Sequence, residues 1–211
     1  AVREAMRCMN CGNGASVSSD ACIACLTCVR VCPFEIPKIK EDENFAYIDN
    51  DCQSCGMCVV ECPAKAIEFK GPYEDMGKGQ LDEVFNKAKT SEPLIINFYC
   101  SYNLDLALSK EELPENIRQV NLLSLGKLSP GLILDAFEKG ADGVLITSCD
   151  DSCHFGDSCN TWAEQRAKTA IDFLASIGIE KERIKYHMLP GQDGDGFLQT
   201  ANQLIEEIKK L

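Results

Sequence analysis

Two stretches of the chain place four cysteines each at a spacing that suits iron binding. Both stretches read C-x2-C-x2-C-x3-C-P, and they begin thirty residues apart. The eight cysteines are Cys22, Cys25, Cys28 and Cys32 in the first stretch and Cys52, Cys55, Cys58 and Cys62 in the second. Thiolates at this spacing hold [4Fe-4S] clusters. The sequence therefore predicts two such clusters and the one-electron chemistry that they supply.

The fourth cysteine of each stretch is expected to bind the other cluster, as is usual where two clusters share this motif. One predicted set is Cys22, Cys25, Cys28 and Cys62, and the other is Cys52, Cys55, Cys58 and Cys32. Disulfides fit less well, because they suit small secreted domains and the first residues contain no apolar signal segment. Zinc fits less well because its C-x2-C pairs stand further apart.

The composition restricts the class of partner. The 211 residues carry a formal net charge of −12. An acidic surface disfavours nucleic acid and anionic membranes and favours docking to basic patches of partner proteins. No apolar run is long enough to span a bilayer. We expect a cytoplasmic protein that is not inserted in a membrane.

The cysteines also divide the chain. Ten of the fourteen precede Pro63, so this part is too short and too rich in cysteine for a large apolar core, and metal must stabilise it. Residues 71–79 are rich in Gly, Pro and acidic side chains and are predicted to be a linker. We predict an α+β ferredoxin-like domain with an N-terminal extension over residues 1–77 and an α/β domain over residues 78–211.

The second domain alternates apolar strands with amphipathic helices, which indicates a four-stranded parallel sheet flanked by helices. The predicted strands are 93–100, 118–125, 143–149 and 183–190. The first predicted helix follows the Ser129-Pro130 cap and ends at Gly140. The next predicted helix, 160–177, is expected to bury one face made of Ala163, Ala167, Ala170, Leu174 and Ile177. The last predicted helix, 196–211, is expected to bury Phe197, Ala201, Leu204, Ile208 and Leu211. Asp193 or Asp195 is expected to cap the last helix.

The last four cysteines are expected at one edge of this sheet, where the loops that follow parallel strands meet. They are Cys100, Cys149, Cys153 and Cys159. Four thiols can hold a [2Fe-2S] cluster, which we favour over structural zinc and over buried thiols without metal. His154 is not expected to be a ligand, since a centre with two histidines would need a second one with a matching motif.

The second domain resembles the delta subunits of methyl-viologen-reducing hydrogenases over about residues 93–211. The resemblance rests on CSY at 100–102, on the segment from GKLSP to GADGVLITSC at 126–149, and on CHF at 153–155. It implies a [2Fe-2S] cluster and electron transfer between a hydrogenase or another donor and a flavoprotein, often in bifurcating complexes. The family pattern has further cysteines where this chain has Asn97 and Ser124. Cys159 is an additional thiol that can replace a lost ligand, and the oxygen of Ser124 is the alternative fourth ligand.

The first residues, EAMRCMNCGN, resemble the segment by which ferredoxin modules attach to flavoproteins related to the small subunit of glutamate synthase. This segment contains Cys8 and Cys11, for which three roles stay open. They could be structural, they could be a thiol pair without metal, or they could bind a metal together with ligands from another subunit.

These observations together predict an electron-transfer subunit of a multi-subunit oxidoreductase of heterodisulfide-reductase or hydrogenase type, which we expect to be flavin-based, bifurcating and NAD(P)H-linked. No nucleotide-binding glycine motif or nucleophile–base pair is present, so the subunit is not expected to be catalytic alone. Two alternatives stay open. The α/β domain could bind its own flavin at the switch point of its sheet, or its cysteines could form a thiol redox switch.

Overall fold

The protein is described from a computed structural model that covers residues 14–39, 42–70, 76–87, 92–100, 113–122, 124–150, 157–190 and 193–211. The chain forms two compact units, Ala1–Glu74 and Asp75–Leu211. Among the described helices, none combines the length and the hydropathy that crossing a membrane would require.

The first unit consists of short elements. Its strands are β1 (Ala15–Val17), β2 (Lys38–Ile39), β3 (Ala46–Tyr47) and β4 (Ile67–Phe69), and its helices are α1 (Thr27–Val31) and α2 (Met57–Glu61). Strand β1 pairs antiparallel with β4, β2 pairs antiparallel with β3, and the two helices contact each other. Each helix ends where the fourth cysteine of a stretch follows it.

The backbone of this unit repeats itself with the thirty-residue offset of the cysteine stretches. Left-handed φ angles recur in three pairs of equivalent positions: Ala24 and Ser54, Leu26 and Gly56, and Glu35 and Lys65. Four of these residues lie within or just after the C-x2-C turns. Such turns direct successive backbone N–H groups to one side and create a concave surface that suits an anion.

The second unit is a parallel sheet with helices packed against it. Its helices are α3 (Met76–Lys87), α4 (Pro130–Glu138), α5 (Asp157–Ser176) and α6 (Gly194–Ile208), and its strands are β5 (Ile95–Cys100), β6 (Ile117–Leu122), β7 (Gly143–Cys149) and β8 (Ile184–Leu189). The strand order is β6-β5-β7-β8. The prediction of a four-stranded parallel sheet with flanking helices is therefore confirmed.

Both central strands are buried at every residue, so both faces of the middle of the sheet are covered. On one face, Ile95, Leu145 and Leu189 join Phe197 and Leu204 of α6 in a single apolar cluster. Helix α5 contacts β7 and β8, and α3 contacts β6. Continuous apolar runs are expected of strands that are buried on both faces.

Side-chain caps fix where two of the helices begin. The Ser129 hydroxyl accepts a hydrogen bond from the Leu132 amide over 3.0 Å, and Pro130 occupies the first helical position. Asp193 accepts from the Gly196 amide over 3.0 Å and caps α6. Both caps match the prediction.

Three sequence-based expectations about these elements are wrong. Helix α3 begins at Met76, so the second part of the predicted linker 71–79 is helical. Strand β6 ends at Leu122, and Leu125 belongs instead to a 3-10 turn over Leu125–Lys127. Ile177 and Leu211 are 60% and 52% exposed, because α5 and α6 end before them and neither residue reaches the core.

Close packing at the start of β7 makes Gly143 a test of the fold. A Cβ there would collide with the side chain of Ile208 and would lie 3.1 Å from the carbonyl oxygen of Arg183. We expect Gly143→Ala to lower the free energy of unfolding by about 1–3 kcal/mol. Urea unfolding followed by the fluorescence of Trp162, the single tryptophan, measures this in the second unit.

Gly79 provides the matched control. It lies inside α3, is exposed, and has no atom within 4 Å of the added Cβ. Gly79→Ala should therefore raise the free energy of unfolding by about 0.5–1 kcal/mol. Equal stabilities of the two variants would contradict the packing of α6 against β7.

Candidate iron–sulfur centres

Two cavities among the described residues of the first unit are each lined by four cysteines. Cys22, Cys25, Cys28 and Cys62 line one of them, termed cavity A. Cys32, Cys52, Cys55 and Cys58 line the other, termed cavity B. These are the two sets that the sequence predicts, including the exchange of the fourth cysteine between stretches. Their roles as ligands stay predictions.

Apolar residues complete both cavities. Ala46, Ala66 and Ile67 line cavity A, while Ile48 and Phe69 contribute to cavity B. A dry, sulfur-lined cavity suits an inorganic cluster, because the thiolates supply the ligands and the apolar shell limits the access of water. The donor set and the surroundings of both cavities therefore fit a [4Fe-4S] cluster.

Backbone amides approach two of the sulfurs in cavity A. The Ala66 N–H donates to the Sγ of Cys62 over 3.2 Å, and the Ala46 N–H donates to the Sγ of Cys22 over 3.5 Å. The Thr27 hydroxyl lies 3.3 Å from the Sγ of Cys25, and its hydrogen bond lowers the pKa of that thiol. Hydrogen bonds to the sulfurs are among the factors that set the potential of a cluster.

The crowding of thiols opposes their ionisation when no metal balances the charge. Burial raises the pKa of Cys58 to about 12, and the neighbouring Cys52 and Cys55 contribute to this rise, as do Cys28 and Cys32. Burial also raises the pKa of Cys28, with smaller contributions from the other three cysteines of cavity A. Cations are what allow four such thiolates to share one cavity.

Among the described residues, no group of three or more His, Cys, Asp or Glu side chains could hold one metal ion. A cubane cluster does not need such a group, since its ligands each bind a different iron. None of the described cysteines forms a disulfide.

The two cavities differ in how far they are covered. Cys25 is exposed, and so are its neighbours Ile23 and Leu26. In the second C-x2-C turn Ser54 is buried, and its hydroxyl accepts a hydrogen bond from the Gly14 amide over 2.8 Å. Gly14, immediately before β1, therefore contacts the turn of cavity B, and no equivalent contact is described for cavity A.

Three of the last four cysteines lie at the carboxyl edge of the parallel sheet. Cys100 ends β5, Cys149 ends the neighbouring β7, and Cys159 lies in the first turn of α5. All three are buried, with exposed fractions of 3%, 7% and 2%. Strand β6 pairs with one side of β5, and β7 pairs with the other side. The switch point of the sheet therefore lies between the carboxyl ends of β5 and β7, where Cys100 and Cys149 stand.

Cys153 and His154 lie outside the described residues, as do Cys8 and Cys11. Asn97 is fully buried within β5 and accepts a hydrogen bond from the Thr147 hydroxyl over 2.8 Å. It precedes Cys100 by three residues, or about 10 Å of strand. The asparagine therefore stands inside the sheet and not at the cysteine edge.

Cys159 occupies a polar niche that the sequence did not indicate. Its Sγ lies 3.3 Å from the hydroxyl of Ser124 and accepts a hydrogen bond from the Gly126 amide over 3.2 Å. Arg166, two turns further along α5, donates to the carbonyl oxygens of Gly126 and Leu128. These contacts join residues that are far apart in the chain, so no local spacing could have predicted them.

Asn160 and Tyr186 are further residues at this edge that the sequence analysis missed. The side-chain amide of Asn160 donates to the carbonyl oxygen of Cys149 over 2.9 Å, which ties the start of α5 to the end of β7. Burial raises the pKa of Tyr186, and Glu164, Cys159 and Cys149 contribute in the same direction. The phenol therefore lies within electrostatic reach of two of the cysteines.

Comparison with known proteins identifies both parts of the chain. Residues 95–211 match the family model of the methyl-viologen-reducing hydrogenase delta subunit, and residues 21–67 match that of a 4Fe-4S dicluster domain. The iron–sulfur subunit of the vhc F420-non-reducing hydrogenase from Methanococcus voltae is 32% identical over 130 residues, which cover 59% of this chain and 90% of the relative.

Other relatives extend the comparison to a second kind of complex. The iron–sulfur subunit of the F420-non-reducing hydrogenase from Archaeoglobus profundus is 30% identical over 116 residues, 54% of this chain and 84% of the relative. One subunit of the ferredoxin/F420H2-dependent CoB-CoM heterodisulfide reductase from Methanosarcina acetivorans is 32% identical over 129 residues, 58% of this chain but only 16% of that longer protein.

The cysteine spacing is that of bacterial ferredoxins, whereas these three relatives come from archaea. The family match covers more than half of the chain, and the Methanococcus protein is matched over nearly its whole length. The chain therefore belongs to the methyl-viologen-reducing hydrogenase delta-subunit family, with a 4Fe-4S dicluster domain before the family region.

Proposed function

We propose that this protein relays single electrons between subunits of a hydrogenase- or heterodisulfide-reductase-type oxidoreductase. Its relatives include an iron–sulfur subunit of a hydrogenase and a subunit of a heterodisulfide reductase, and the protein is an electron-transfer subunit of that kind. The observation that carries the proposal is the pair of four-cysteine cavities in one unit, together with the buried cysteines of the family region in the other. Catalysis is assigned to the partner subunits.

Two [4Fe-4S] clusters are proposed for the first unit. Cys22, Cys25, Cys28 and Cys62 would hold one cluster, and Cys52, Cys55, Cys58 and Cys32 would hold the other. When bound, such clusters supply reversible one-electron oxidation and reduction. The protein contributes the apolar lining, the amide hydrogen bonds to sulfur and the left-handed turns that fix the cysteines.

A [2Fe-2S] cluster is proposed for the second unit, with Cys100, Cys149, Cys153 and Cys159 as its ligands. The support is chemical: three buried thiols belong to one sheet edge, and Cys153 follows Cys149 by four residues. The residues at this edge also supply hydrogen-bond donors to sulfur, which a cluster thiolate accepts more strongly than a neutral thiol does.

The partners are proposed to be a hydrogenase or dehydrogenase and a flavoprotein within one cytoplasmic complex. The net charge of −12 supports docking to basic surfaces and disfavours nucleic acid. The resemblance of residues 4–13 to the attachment segment of glutamate-synthase-related flavoproteins supports a flavin partner. On the same basis we propose that the complex is NAD(P)H-linked and bifurcating.

The iron content separates the parts of this proposal. Anaerobically purified protein should contain about ten irons per chain, and reduction should produce a [2Fe-2S] EPR signal beside coupled [4Fe-4S] signals. Each signal should appear in a one-electron step during a potentiometric titration. A content of about eight irons without a [2Fe-2S] signal would overturn the assignment in the second unit and leave the ferredoxin-like part intact.

Paired substitutions test the exchange of the fourth cysteine. We expect Cys62→Ala to remove one cluster, or about four irons, because cavity A loses a ligand. Adding Cys22→Ala should remove no further iron, since both cysteines belong to cavity A. Adding Cys55→Ala instead should remove about eight irons in total. Iron analysis and EPR measure these losses. If each stretch held its own cluster, the Cys62→Ala, Cys22→Ala double variant would instead lose about eight irons and the Cys62→Ala, Cys55→Ala double variant only about four.

A further inference from the structure

We propose that Ser124, Gly126 and Arg166 position the Cys159 sulfur as a ligand of the second unit's iron–sulfur centre and raise its reduction potential. The inference rests on the proposed [2Fe-2S] cluster and adds the residues that control it. Ser124 acts in it as a hydrogen-bond donor and not as an iron ligand.

The geometry at Ser124 fixes the direction of its hydrogen bond. The Oγ of Ser124 already accepts from the Gly126 amide over 3.1 Å, while the same hydroxyl lies 3.3 Å from the Sγ of Cys159. A metal-bound thiolate carries no proton and can only accept. The Ser124 O–H must then donate to the sulfur, and the Gly126 N–H, 3.2 Å away, donates as well.

Arg166 holds the turn that carries these donors. Its guanidinium donates to the carbonyl oxygens of Gly126 and Leu128, and it lies over the ring of Trp162 at 5.5 Å from the centroid. The side chain is half-buried, and it interacts electrostatically with Cys159. Arg166 therefore places a positive charge within electrostatic range of the Cys159 sulfur and links the turn that contains Gly126 to α5.

Helix α5 adds to the same effect. Cys159 lies in the first turn of this twenty-residue helix, where the backbone dipole favours negative charge. Its burial, with 2% exposed, keeps water from competing for the sulfur. Four sources of positive potential thus act on one sulfur: two hydrogen-bond donors, one guanidinium and one helix end.

The sign of the effect on the potential follows from charge. Reduction of the centre adds an electron, so the reduced form carries more negative charge than the oxidised form. Hydrogen bonds and positive charge near a ligand sulfur stabilise the reduced form more, which raises the reduction potential. Removing a donor or the guanidinium should lower it.

The test compares Ser124→Ala and Arg166→Gln with the wild-type protein by EPR-monitored redox titration. In each variant we expect the ratio of reduced to oxidised [2Fe-2S] centre, at a fixed solution potential, to fall about tenfold, which corresponds to about 59 mV for one electron. Iron content should stay at the wild-type value. The reduction potential of Arg166→Lys should lie between those of Arg166→Gln and the wild type, since lysine keeps the positive charge but lacks the several N–H donors of the planar guanidinium.

Two matched controls use residues with similar local roles elsewhere in the second unit. Ser176→Ala removes a hydroxyl that donates to the Phe173 carbonyl at the other end of α5, and Arg183→Gln removes an arginine that donates to the Asp142 carbonyl at the opposite edge of the sheet. Both should lower stability and leave the potential unchanged. An equal shift in these controls would overturn the inference.

A second pair of variants tests Cys159 as the ligand. Cys159→Ala should lose the [2Fe-2S] signal, and adding Ser124→Cys should restore it, because the Oγ and Sγ atoms are only 3.3 Å apart. A Cys159→Ala protein that keeps the signal, or unchanged potentials in Ser124→Ala and Arg166→Gln, would overturn the inference alone. Wild-type protein with about eight irons would instead overturn the proposed [2Fe-2S] cluster, and the inference with it.

Discussion

Thiolates repel one another, and the first unit of this protein gathers eight cysteine sulfurs around two small cavities. Burial and neighbouring sulfurs raise the pKa of Cys58 to about 12, so this thiol alone would stay protonated at neutral pH. Iron bound by these cysteines, as we propose, would resolve this conflict, because the positive charge of the metal would balance the sulfurs. Strand pairing, the contact between the two helices and a small buried apolar set also link these elements, so the charge balance concerns above all the turns that carry the cysteines.

The second unit meets a different constraint, which is the direction of its strands. In a parallel sheet all the loops that follow strands open at one edge, so cysteines about fifty residues apart become neighbours. The order β6-β5-β7-β8 places the ends of β5 and β7 side by side. Cys100 and Cys149 share an edge for that reason and not because of any local motif.

Sequence reasoning succeeded where the physical cause is local. The strand predicted at 143–149 coincides with β7, because a strand that is buried on both faces is a continuous apolar run. Helix α3 was missed because its two glycines resemble a linker, whereas Gly77 packs close to Leu122 and Leu132 from other elements. The end of β6 was misplaced because Ser124 turns towards Cys159, a contact that spans thirty-five residues. Local spacing accounts for the three cysteines that each stretch gives to its own cavity, whereas the fourth comes from the other stretch, which lies close because α1 and α2 contact each other.

The repeated backbone of the first unit carries unlike side chains at one position. Gly56 adopts its left-handed φ without strain, while Leu26 adopts the equivalent angle at a cost of about 1–2 kcal/mol. Leu26 is 40% exposed next to the exposed Cys25, whereas in the second turn the buried Ser54 is bonded to Gly14. The repeat is therefore unequal in exposure: among the described residues, a molecule that docks over Leu26 would meet the sulfur of Cys25 at the surface, while Gly14 contacts the equivalent turn of cavity B.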